Sequence, residues 1–197
     1  RGGATVTQFR LADVQRAVSL NTSDAPSGPL VTATQLWQNL DRFLNELLPV
    51  AERVGVTLAM HPDDPPLPEM LGRARIMHSV ENFERLVTMV PSPRNAICFC
   101  HGSFASMGVD IPGTIRRLGK HIQYVHCRNV RGTPTDFAET FHDNGPTDMA
   151  AAVLPPWSSA NWPLPATPRC CSPTRRRRCQ RSICSGCGSR AWEPSTA

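Results

Sequence analysis

VTLAMHPDDPP, residues 56–66, is the stretch from which the fold is read. Its first five residues, Val56 to Met60, make an apolar run of strand length. The next six, His61-Pro62-Asp63-Asp64-Pro65-Pro66, cannot continue a central strand, because proline donates no ladder hydrogen bond. A buried strand therefore ends in a loop loaded with polar side chains. Immediately upstream, Leu36, Leu40, Phe43, Leu44, Leu47, Leu48, Ala51 and Val54 recur at helical spacing. Thr32 and Gln35 have the spacing of a capping box at its start, and Gly55 is placed to close it.

The same unit recurs twice downstream. Ser79 is placed to cap a helix carrying Val80, Phe83, Leu86, Val87 and Val90, which Pro91 and Pro93 stop, and Ala96 to Cys100 reads as the next strand. Asp110 is placed to cap a shorter helix with Ile111, Ile115 and Leu118, closed by Gly119, before a third strand from Ile122 to His126. Three alternations of helix and strand imply an α/β fold with a parallel sheet. Periodicity alone leaves open whether the sheet closes into a barrel, with its chemistry on the loops after the strands, or is doubly wound.

The ends read differently. Residues 1–31 are polar, lack a sustained period and start with Arg rather than Met, and are expected to be a poorly ordered or incomplete N-terminal segment. Residues 32–152 hold the alternating pattern. Residues 153–197 form a Pro/Arg/Cys-rich tail of low complexity, with neither helical period nor strand run, and are expected to be disordered. The composition of this tail is that of a GC-rich gene read out of frame.

The formal charge of +5 is local, since Arg175 to Arg178 lie consecutively in the tail. Five of the 8 cysteines (Cys170, Cys171, Cys179, Cys184, Cys187) also fall there, which argues against a disulfide framework in the remainder. Arg175–Arg178 with Cys184-Ser185-Gly186-Cys187 could serve a zinc or nucleic-acid module, but no second ligand pair stands at a regular distance, so this reading has little support. Neither a membrane-length apolar run nor the apolar core of a signal peptide is present, so a cytoplasmic location and no membrane partner are expected.

His61, Cys100 and His126 occupy equivalent places at the ends of the three strands. In a parallel barrel those ends converge on one face. Imidazole with thiolate suits a transition ion, and three protein donors with an open position are the mark of a catalytic site. Any one His or Cys at a strand end is more often simply packed or hydrogen-bonded. Three at matching positions weaken that reading considerably.

The HPDDPP segment at 61–66 resembles the corresponding motif of the mannonate dehydratase family. Further segments resemble the family's in the same order: Arg75-Ile76-Met77 with Ser79-Val80-Glu81, Phe99-Cys100-His101-Gly102-Ser103, Val125-His126-Cys127-Arg128-Asn129-Val130, and Phe141-His142-Asp143-Asn144-Gly145-Pro146-Thr147-Asp148-Met149. The resemblance implies a TIM barrel of the xylose-isomerase-like kind, of which this chain would hold about three βα units with disordered ends. It implies a lyase of glucuronate catabolism that dehydrates D-mannonate to 2-dehydro-3-deoxy-D-gluconate with Mn2+ or Fe2+, held in part by His61, Cys100 and His126, and a homo-oligomer for full-length members. Arg128, His142 and Asp64 are candidates for contacting the substrate. Against each stands a plainer reading: a surface ion pair for Arg128, an ordinary loop histidine for His142, and turn chemistry for the Asp63–Asp64 pair. His101, where the family usually has Thr, adds a competing donor beside Cys100. No Arg-Pro-Asp-His-Gly segment, which carries the family's fourth ligand and acid/base group, follows Met149. Three strands alone leave open edges, so the isolated chain is expected to be unstable and inactive. An isomerase or epimerase of the same barrel superfamily is the alternative enzyme.

Overall fold

A computed structural model of the chain describes residues 3–20 and 30–153. It begins with a short strand, β1 (Gln8–Arg10), that runs directly into helix α1 (Leu11–Leu20). The lack of periodicity over residues 1–31 gave no sign of either. The physical reason is that β1 is only three residues long and owes its existence to a partner far away in sequence. The expectation of an unstructured N-terminal segment is corrected for residues 8–20, while 21–29 fall outside the described residues.

Helix α2 (Ala33–Val54) starts as its sequence dictates. Gln35 N–H donates to Thr32 Oγ1 at 3.2 Å and Thr32 N–H donates to Gln35 Oε1 at 2.8 Å, closing the capping box. Gly55 ends it at φ 74°, a left-handed conformation that costs glycine little. Trp37, Leu44, Leu48 and Ala51 are its buried face.

Strand β2 (Leu58–Met60) follows, then a two-strand ribbon, β3 (Glu69–Met70) with β4 (Arg73–Ala74), in the loop after His61. Ser79 caps α3 (Val80–Met89) by accepting from Asn82 N–H. Strand β5 (Asn95–Cys100) is buried at every residue and passes straight into the short helix α4 (His101–Ser106). Asp110 caps α5 (Ile111–Leu118), and a 3₁₀ turn at Gly119–His121 leads into β6 (Ile122–His126). A hairpin, β7 (Asn129–Thr133) and β8 (Asp136–Thr140), and a last helix, α6 (Met149–Val153), complete the described chain. The tail, with its basic and Cys-rich segments, lies outside the described residues apart from Val153.

The strands form a mixed α/β arrangement. β2, β5 and β6 make a parallel sheet in the order β2-β5-β6, as the alternation required. β1, β8 and β7 make a separate antiparallel sheet in the order β1-β8-β7. Alternation along β5 divides its side chains between two faces. Ile97 and Phe99 join the core with Phe83, Leu86, Phe104, Ile115, Leu118 and Ile122. Phe99 stacks on Phe104 with ring centroids 4.2 Å apart, and Phe83 tilts against Phe104 at 5.0 Å. Cys98 and Cys100 take the opposite face.

Strand β6 departs from strict alternation. Ile97 pairs with Ile122, but Cys98 pairs with Tyr124 and Cys100 with His126, so Gln123 is an extra residue in the ladder. Without that bulge Ile122 and His126, four apart, would share a face. With it, Ile122 enters the core while His126 stands beside Cys100. Among the described residues no helix is long and apolar enough to cross a membrane.

Candidate metal centre

The three strand-end residues singled out from the sequence do come together. One donor atom from each of His61, Cys100 and His126 lies within 4.8 Å of the other two. Among the described residues no other group of three or more His, Cys, Asp or Glu side chains has this arrangement. Cys100 is buried, His61 half-buried and His126 exposed, so the cluster has a closed floor and one open side. The two imidazole rings stand 5.1 Å apart between centroids, and Tyr124 meets His126 edge-on at 5.3 Å.

Each donor is held by its surroundings. His61 Nδ1 is 2.7 Å from the carbonyl oxygen of Pro62. A carbonyl only accepts, so Nδ1 carries a proton; Nε2 then donates to Cys100 when the ring is protonated and offers its lone pair when it is neutral, and backbone contacts of this kind commonly fix metal-binding histidines. Cys100 sits at the junction of β5 and α4. Burial disfavours its thiolate, but hydrogen bonds from His61 and from the side chain and backbone of Ser103 outweigh burial and bring the thiol down to about 6. His61 is correspondingly raised, first by its hydrogen bond to Cys100, with burial opposing and the Pro62 carbonyl assisting. Cys98, on the same face of β5, is pushed up to about 11 by burial and by the charge of Cys100. In metal-free protein, thiolate absorption in the ultraviolet is therefore expected to rise in a step centred near pH 6 and to lose that step in C100A. A first step appearing only in the range of ordinary thiols would contradict the imidazole–thiolate pairing.

The other sequence candidates take distinct places. Asp64 pairs with Arg128. Arg128 also approaches Glu139 of β8, Nε to Oε1 at 2.8 Å, so both of its neighbours are carboxylates of the protein itself. Asp63 accepts from Met77 N–H at 2.7 Å and from Arg75 Nε at 3.1 Å, which ties the loop after His61 to residues 75–77. This is the turn-stabilising role for Asp63. His142 is exposed, with Nε2 against the Cys127 carbonyl, and lies outside the cluster of three. The expectation that His101 competes as a donor is corrected. It lies outside the cluster of three: fully buried, it donates from Nδ1 to the His126 carbonyl at 3.1 Å and packs edge-on against Phe99, and its Nε2 has no hydrogen-bond partner.

Sequence reasoning missed Asn129. Buried at the start of β7, it donates from Nδ2 to the carbonyls of His142 and Thr147, both at 2.9 Å, and so anchors the 142–147 loop. Its presence among the recognised motif residues was the only signal; partners 13 and 18 positions away leave no local trace.

Parallel strands delivering a His–Cys–His donor set to one end define the class, an α/β protein with a candidate mononuclear metal centre. Residues 27–159 match the family model described as D-mannonate dehydratase (UxuA), and the chain belongs to that family. It is 40% identical over 122 residues to the mannonate dehydratase of Oceanobacillus iheyensis, covering 60% of this chain and 35% of that protein. With the mannonate dehydratase of Rhizobium meliloti it shares 38% identity over 128 residues, covering 62% and 32% respectively. The crystal structure of mannonate dehydratase from Streptococcus suis serotype2 superposes with a TM-score of 0.58 at 34% identity, over 67% of this chain and 42% of that one. The chain spans about a third of the length of the curated relatives it matches.

Proposed function

We propose that residues 32–152 form three βα units of a TIM barrel and supply three of the metal ligands of a mannonate dehydratase. The enzyme would convert D-mannonate to 2-dehydro-3-deoxy-D-gluconate in the cytoplasm, as a homo-oligomer in its full-length form, using Mn2+ or Fe2+. The observation that carries this reading is the convergence of His61, Cys100 and His126 within 4.8 Å. The donor set fits such an ion: two imidazoles and a thiolate made accessible near neutral pH suit a divalent transition metal better than Mg2+ or Ca2+, and the exposed side at His126 leaves room for substrate oxygens.

When bound, the ion would act as a Lewis acid on substrate oxygens, acidifying the proton beside the carboxylate and easing departure of hydroxide. The protein's own residues supply orientation. Pro62 fixes the tautomer of His61, Ser103 supports the Cys100 thiolate, and the β6 bulge aims His126. Asp63 and Asp64 are each engaged by an arginine, so the proton acceptor is sought elsewhere in the family fold.

The test is proton relaxation of D-mannonate by the Mn2+-loaded 197-residue chain, with an aldose of equal size as comparison and products checked for a 2-oxo acid. Faster relaxation of D-mannonate, centred on the protons near its carboxylate and absent in C100A, is the expected result. Binding and isomerisation of the aldose would instead favour an isomerase, and no metal-dependent relaxation of either sugar would sink the substrate assignment.

A further inference from the structure

Arg128 follows His126 by two residues and reaches back across the turn after Cys100. Its stem lies on Gly102: a Cβ built there would stand 2.8 Å from both Cγ and Cδ of the arginine, too close for any side chain, so glycine is what lets the arginine cross at this height. The guanidinium then meets Asp64, in the loop that begins with His61, and Glu139, on β8. The Cys100 sulfur lies within its electrostatic reach. Only a fifth of the side chain remains exposed.

One residue thus touches the loop of the first donor, lies over the turn that follows the second and springs from the strand end of the third. Its single positive charge faces the carboxylates of Asp64 and Glu139, on the side of the strand ends where Cys100 lies. A guanidinium carries five N–H donors in a fixed fork and can serve several acceptors at once, which a single ammonium cannot do with the same geometry. Resting on the metal-centre reading above, we propose that Arg128 is a positioning residue of that centre, stacked on Gly102 and braced by Asp64 and Glu139 so that it holds the Cys100 sulfur toward His61 and His126.

The chemistry separates this role from that of a loop tether. An N–H donor directed at a thiolate draws electron density from sulfur, so removing it makes the sulfur a stronger charge donor to a bound ion. The test uses Co2+ with the full 197-residue chain and the variants R128M and R128K. Unsubstituted protein is expected to show thiolate-to-cobalt charge-transfer absorption that C100A lacks. In R128M that band is expected at longer wavelength, and Co2+ affinity, measured by competition with a chelator, is expected to fall about 10–100-fold, the usual effect of losing a partner that supports a metal ligand. R128K returns an N–H donor to the sulfur but cannot brace both carboxylates. Its band is therefore expected near that of the unsubstituted protein, with affinity only partly recovered.

Weakened binding with an unmoved band in R128M would reduce Arg128 to a loop tether and overturn the assignment. Unchanged band and affinity in both variants would do the same while leaving the metal centre standing. Should R128M fail to fold by circular dichroism, R128A is used in its place: weaker binding with the band at longer wavelength upholds the role, and an unmoved band overturns it. If the unsubstituted chain binds Co2+ with no thiolate band, the metal centre itself is refuted and this inference with it.

Discussion

C100A is expected to abolish stoichiometric binding of Mn2+ or Fe2+. Cys100 supplies the only sulfur among the three converging donors, and the two imidazoles that remain belong to strands on either side of β5. Its loss removes a bond to the ion itself, so the fall in affinity should exceed the roughly 10–100-fold typical of a supporting partner. H61A and H126A are expected to act in the same direction. H78Q serves as the contrasting variant, because His78 faces Asn82 at 3.4 Å on the start of α3 and takes no part in the donor set. Metal content after dialysis, measured per chain, decides the matter: C100A binding as tightly as H78Q would mean that the cluster is not where the ion sits.

F99A is expected to cost about 3–5 kcal/mol of folding stability, the range for deleting a wholly buried phenylalanine. Phe99 has no exposed surface, stacks on Phe104 and meets the edge of His101. Its loss removes the centre of an aromatic row and leaves the buried imidazole without its apolar wall. A domain commonly holds only about 5–15 kcal/mol in total, so the variant should unfold at much lower urea concentration. A change below about 1 kcal/mol in the urea midpoint analysis would show that the β5 core collapses around the deletion or that the described packing is wrong. C100A, on the opposite face of the strand, should be much milder in the same experiment.

Much of this could be read from the chain because the relevant signals were local. The capping box at Thr32 and Gln35, the caps at Ser79 and Asp110, and the third strand at Ile122–His126 each rest on residues within a few positions of one another. The place of His61, Cys100 and His126 at three strand ends was legible for the same reason, and the parallel pairing then brought them together. What escaped depends on distant partners. β1 is specified by its pairing with β8, Gln8 opposite Ala138, and no three-residue window could announce it. The β7–β8 hairpin carries weak alternation, and α4 is too short to show a period. Arg128 looked available for a ligand carboxylate because its two acidic neighbours lie 64 residues before it, at Asp64, and on another strand, at Glu139.

The extra residue at Gln123 has a consequence for how descendants of this sequence could lose the site. The donor set depends on residue count as well as residue identity. A single lost codon between Ile122 and His126 would only remove the bulge, but a lineage that lost those for both Gln123 and Tyr124 would leave Ile122 and His126 two apart on one face while keeping all three ligands and every recognisable motif. It would nevertheless have to choose between seating Ile122 in the apolar interior and presenting His126 to the other two donors, and the interior, with more buried surface at stake, would win. Such a gene would read as intact while encoding a protein with two ligands in place.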